Sequence, residues 1–167
     1  MNDREELLAK LNAGRGDLLG AVEGMTNEQA ALRPADGGWT PLEILEHVAT
    51  VETLLLRRLQ TQSSDIAEEL GREREPELYA RISTRSHKIQ APELVHPKGR
   101  FTTVGDAVGA FLDARERTLQ WLARCDFDLR RRAVEHLQPD VAHSQRLRRK
   151  YTICAAVVTM MRLHDHQ

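Results

Sequence analysis

His47 is the side chain on which chemistry can most readily be built in this chain. It closes the run Gly38-Trp39-Thr40-Pro41-Leu42-Glu43-Ile44-Leu45-Glu46-His47 and lies near the edge of an apolar stripe of Leu42, Leu45, Val48, Ala49, Leu55, Leu56 and Leu59. An imidazole so placed can serve as a metal ligand, as an acid/base group or as a hydrogen-bonded structural side chain, and spacing alone leaves all three open. Glu43 precedes it by four residues on the same helical face. A carboxylate there could orient the imidazole or act as a base, or it could form an ordinary surface interaction worth a few tenths of a kcal/mol.

Other residues offer weaker chemistry. His164 and His166, near the end of the chain, read either as ligands or as solvated residues that complement a helix dipole. His136, Asp140 and His143 follow an i, i+4, i+7 spacing that could form a local ligand set, but Pro139 opposes a continuous helix through them. Cys125 and Cys154 make no CxxC motif and have no histidine beside them in sequence, so both read as small buried apolar residues. The basic runs Arg130 to Arg132 and Arg146 to Lys150 lack interleaved aromatics and read as solvated faces. There is no glycine-rich phosphate loop and no GxSxG motif.

Thr40 suits an N-cap, Pro41 the first helical position and Glu43 the third residue of a capping box, which predicts a helix from Pro41 to about Gly71. An amphipathic rhythm predicts another over Asp3 to Gly24. Thr26-Asn27-Glu28-Gln29 opens a short helical turn, and Pro34, Gly37 and Gly38 break the chain before Trp39. Residues 72 to 100, punctuated by Pro76, Pro92, Pro97 and Gly99, read as a long connection with room for a short helix. Thr103-Val104-Gly105-Asp106 starts a helix reaching about Cys125, and Tyr151 to Leu163 predicts the last. Strand signals are nearly absent, so the expectation is an all-α fold, a four-helix bundle with a long crossover between its second and third helices.

With 167 residues and a formal charge of −1, a single domain over 1–167 without general attraction to nucleic acid or membranes is expected. Only two cysteines, no signal-peptide pattern and no long apolar window predict a soluble cytoplasmic protein.

Three segments carry a resemblance: Arg33-Pro34 through the Gly38 to Val48 run, Ala91-Pro92-Glu93-Leu94-Val95-His96-Pro97-Lys98-Gly99, and Phe111-Leu112-Asp113-Ala114-Arg115-Glu116-Arg117-Thr118-Leu119. Together the chain resembles the DinB/YfiT-like superfamily of helical bundles over most of residues 1 to 136, and less closely over 137–167. The resemblance implies a divalent metal, zinc or nickel, held by one histidine early in the second long helix and an HxxxH pair on the last. It also implies a metal-dependent transferase working with small thiols, or a hydrolase, on a small-molecule substrate, in a homodimer. Histidines at i and i+4 share a helix face, and a third from a facing helix completes a site with an open position able to activate water or a thiolate.

His47 matches the first family ligand. No HxxxH occurs in the sequence. In one register Tyr151 opens the last helix, His164 and Gln167 take family positions and Met160 stands where the first histidine of the pair belongs, a thioether being a poor ligand for a borderline ion. In the other, His143 takes that first position and Leu147 the second. The first register is preferred, so the implied ligands are His47 and His164, with His143 and His166 as alternates and Glu43 as a group behind the metal. The alternative reading is a non-catalytic bundle of this family whose metal site has degenerated, serving as a dimeric or stress-associated interaction module.

Overall fold

The computed structural model describes residues 2–66, 91–135 and 150–152. Helix α1 spans Asp3–Val22, started by a reciprocal cap in which the Asn2 side chain accepts from the Glu5 N–H and the Glu5 carboxylate accepts from the Asn2 N–H. Helix α2 is one turn, Asn27–Ala30, capped in the same way by Thr26 and Gln29. Helix α3, Pro41–Gln62, and helix α4, Val104–Arg124, follow, with a 3-10 turn at Glu93–Val95 between them. Thr103 caps α4 by accepting from the Asp106 N–H. These starts are where the Thr-x-x-Glu, Thr-x-x-Gln and Thr-x-x-Asp spacings place them.

Helix α4 packs against both α3 and α1. Two apolar layers result. Leu7, Leu11, Leu55, Leu59, Leu122, Cys125, Leu129 and Val134 form one; Leu18, Val22, Ala30, Leu42, Leu45, Val48, Ala49, Ala107 and Phe111 form the other. Each fully buried leucine in them contributes roughly 1.5–3 kcal/mol through removal of apolar surface from water. Along α3 and α4, Glu52 and Arg115 fall between the two layers and form a buried ion pair, Arg115 Nε to Glu52 Oε1 at 2.7 Å, while Arg115 Nη1 also donates to the Leu11 carbonyl of α1. One guanidinium thereby links three helices.

The molecule is mostly helical, consistent with the all-α expectation, and two details of that expectation need correction. A small antiparallel sheet accompanies the helices, ordered β1 (Ser64–Asp65), β2 (Arg132–Glu135), β3 (Lys150–Thr152). Strands of two to four residues are too short to display an alternating pattern in sequence. Helix α3 ends at Gln62 rather than near Gly71: Ser63 is extended, its hydroxyl bonds back to the Leu59 carbonyl, and the next two residues pair with β2, Ser64 opposite Ala133 and Asp65 opposite Arg132. Tyr151 does not open a helix, because Lys150–Thr152 pairs with β2, Tyr151 opposite Val134 and Thr152 opposite Ala133. Aromatic and β-branched residues suit that pleated surface. The remainder of the expected last helix, and residues 67–90, which hold most of the connection expected over 72 to 100, lie outside the described residues. Among the described residues no helix is long and apolar enough to cross a membrane.

Candidate functional site around His47

The site begins with the way α3 starts. Thr40 Oγ1 accepts from the Glu43 N–H at 3.2 Å and Glu43 Oε2 accepts from the Thr40 N–H at 2.8 Å. The other carboxylate oxygen, Oε1, takes Arg33 Nη2 at 2.7 Å, and Arg33 Nη1 donates to the Gly38 carbonyl at 2.8 Å. The Arg33–Gly38 turn is thus lashed to the helix it precedes, with Gly37 at φ +76° supplying a left-handed residue. Burial pushes the Glu43 carboxyl up, and the Thr40 N–H and the Arg33 guanidinium outweigh it, holding the group below the usual carboxylate range. Glu43 was expected behind His47. Its oxygens instead serve the cap and Arg33, since a capping box turns the third side chain back toward the helix start.

His47 is buried, and its Nδ1 lies 2.7 Å from the Val95 carbonyl. A carbonyl only accepts, so Nδ1 carries the proton and, in the neutral ring, the lone pair resides on Nε2. That is the tautomer of an imidazole that ligates a metal through Nε2 while a backbone carbonyl fixes its orientation. Trp39 lies against the ring with centroids 4.8 Å apart at 52°. On another edge of Trp39 stands His96, 5.8 Å away at 76°. His96 is exposed, and its Nε2 donates to the Ala91 carbonyl at 2.8 Å.

Val95 and His96 belong to a strap, residues 91 to 101, laid over the first half of α3. Its second attachment is Glu46, whose side chain is only 3% exposed. Glu46 Oε1 accepts from the Lys98 N–H at 2.7 Å and from Arg100 Nε at 2.9 Å, and Oε2 accepts from the Arg100 N–H at 3.0 Å. Burial raises the Glu46 carboxyl, but these N–H groups and the Arg100 guanidinium prevail and hold it below the usual range. Gly99, at φ +70°, makes the turn that aims the N–H groups of residues 98 and 100 at one carboxylate.

Spacing in the sequence singles out neither Glu46 nor Glu52 as a site residue, and His96 stands there only within a matching segment. A signal for the two carboxylates was present: both sit on the apolar stripe of α3, where a buried charge requires a partner. Cys125 is buried, its thiol donating to the Leu122 carbonyl, in agreement with a small packed side chain. His143, His164, His166 and Cys154 lie outside the described residues. Tested against a divalent ion, the described residues supply one imidazole in a suitable tautomer, and among them no three His, Cys, Asp or Glu side chains converge as a ligand cluster.

Neither the curated proteins nor the solved structures contain a match to this chain. A family model, that of the DinB superfamily, matches residues 10–155, which takes in α3, the strap and α4 and stops before His164. With its helical architecture and that match over most of its length, the chain belongs to the DinB superfamily.

Proposed function

We propose that this chain binds a divalent metal ion, zinc or nickel, through His47 and His164, with His143 or His166 as alternate ligands, and uses it for transfer to a small thiol or for hydrolysis of a small molecule. The observation that carries the reading is the Val95 carbonyl on His47 Nδ1, which orients a ring at the first ligand position of the family pattern. When bound, the ion would supply Lewis-acid activation of the substrate or of the thiol. The protein's part is to fix the imidazole: the strap sets its tautomer, Trp39 restricts its tilt, and burial of the ring limits access of water to it. A homodimer acting on a small molecule, without nucleic acid or membrane as partner, completes the proposal.

Metal analysis of the tag-free protein, followed by titration with zinc, nickel and manganese near neutral pH, tests it. Stoichiometric binding is expected, abolished in His47→Ala and in His164→Ala while helical circular dichroism is retained. Binding that persists unchanged in both variants refutes the ligand set. The absence of HxxxH from the sequence favours a second reading, a non-catalytic bundle with a degenerate site. Absence of binding even at high micromolar metal would select that reading.

A further inference from the structure

We infer that Glu46 is a positioning residue for His47, acting through the strap rather than by contact with any ligand. Glu46 and His47 are consecutive on α3, and they grip the same strap at two points: His47 at the Val95 carbonyl, Glu46 at the backbone N–H groups of Lys98 and Arg100. The first bond chooses the His47 tautomer, but a single hydrogen bond to a loop carbonyl orients a ring only as well as the loop is held. Glu46 holds it with a buried carboxylate engaged on both oxygens, and charge-assisted bonds of this kind are the strong ones. Arg100 extends the grip by donating from Nη2 to Thr50 Oγ1, one turn further along α3. Val95, buried beneath the strap, and Phe101, packed on the apolar layer around Phe111, flank the clamp and keep the strap flat on the helix. Loss of an outer group that fixes a ligand imidazole typically weakens metal binding by about 10–100-fold. The assignment rests on the proposed metal role of His47 for its affinity consequence, and on geometry alone for its effect on the ring.

The test uses the full-length, 15N-labelled protein and long-range proton–nitrogen correlation spectra, which report which nitrogen of His47 bears the proton, together with zinc titration. Glu46→Gln keeps the shape but cannot accept on both sides. Gly99→Val disturbs the clamp from the strap: a Cβ there meets no atom within 4 Å, and the left-handed backbone is one that a β-branched residue resists. Wild type is expected wholly in the Nδ1–H form. Each variant is expected to show a mixture with the Nε2–H form and zinc affinity weakened about tenfold, the lower end of what such changes cost. If Glu46→Gln loses its helical circular dichroism, Gly99→Val decides. Folded variants that retain a pure Nδ1–H ring overturn the inference. If wild-type protein takes up no zinc, the metal reading fails by itself, and the tautomer spectra still decide the role of Glu46.

Discussion

Glu43 and His47, four residues apart on one helix, look like a catalytic or ligand-orienting pair, yet each turns to a different backbone group. Glu43 reaches back to the Thr40 N–H and Arg33, and His47 reaches across to the Val95 carbonyl. The spacing identified a shared face but not the competitors for each polar atom: for Glu43 the local Thr40 N–H wins because it requires no further ordering of the chain, whereas the partner of His47 comes from the strap, far along the chain. The depressed Glu43 pKa has a consequence for stability. A carboxyl held below its ordinary 4.5 in the folded state stabilises the protein above that value, and the contribution is lost as pH falls through the lower folded pKa. In Glu43→Gln the amide oxygen keeps the Thr40 bond but the Arg33 pair is lost, a partly exposed interaction worth about 0.5–1 kcal/mol. Urea unfolding of wild type and Glu43→Gln from pH 7 to pH 3 should give a constant gap above about pH 5 that closes in acid. A gap that stays constant down to pH 3 would mean that the Arg33 pair contributes nothing to folding.

At the level of elements, what could be read in the sequence was whatever local chemistry determines. Thr40, Pro41 and Glu43 announce the start of α3, and the start observed is the one they announce. Thr40→Ala, which removes the acceptor for the Glu43 N–H, should cost about 1 kcal/mol of unfolding free energy by urea denaturation. An unchanged midpoint would show that Pro41 and the packed Trp39 suffice to set the start. The far end of α3 could not be read in the same way. Ser63 ends the helix because the following residues find partners in β2, which lies far along the chain. The strap was equally hidden, since its decisive atoms are the Val95 carbonyl and the N–H groups of Lys98 and Arg100, and backbone groups carry no sequence identity. Glu46 was half legible: a carboxylate on an apolar stripe signals a partner without naming it.

For the molecule as a whole, the apolar stripe residues of α3 are all buried, as their spacing implied, but the stripe did not reveal that the core is divided by Glu52 and Arg115. Both side chains are almost fully buried, Arg115 bridges to the Leu11 carbonyl, and its guanidinium stands 5.1 Å from the centroid of the Phe111 ring. Glu52 Oε2 has no hydrogen-bond partner among the described residues, so the carboxylate leans on Arg115 through Oε1. Arg115→Met would strand that carboxylate in an apolar interior, and the expected loss is about 3–5 kcal/mol. Glu52→Leu would take the carboxylate from the guanidinium, which keeps the Leu11 carbonyl among its partners, so the loss is expected to be smaller. The double variant removes both charges and replaces them with apolar volume between two layers that are already apolar, so it should recover most of the loss from either single change. A double-mutant cycle in urea reads this directly. Single losses that merely add in the double variant would mean that α1, α3 and α4 are aligned by the apolar layers alone, whereas strong coupling identifies the pair as the contact that sets how α4 seats between α1 and α3.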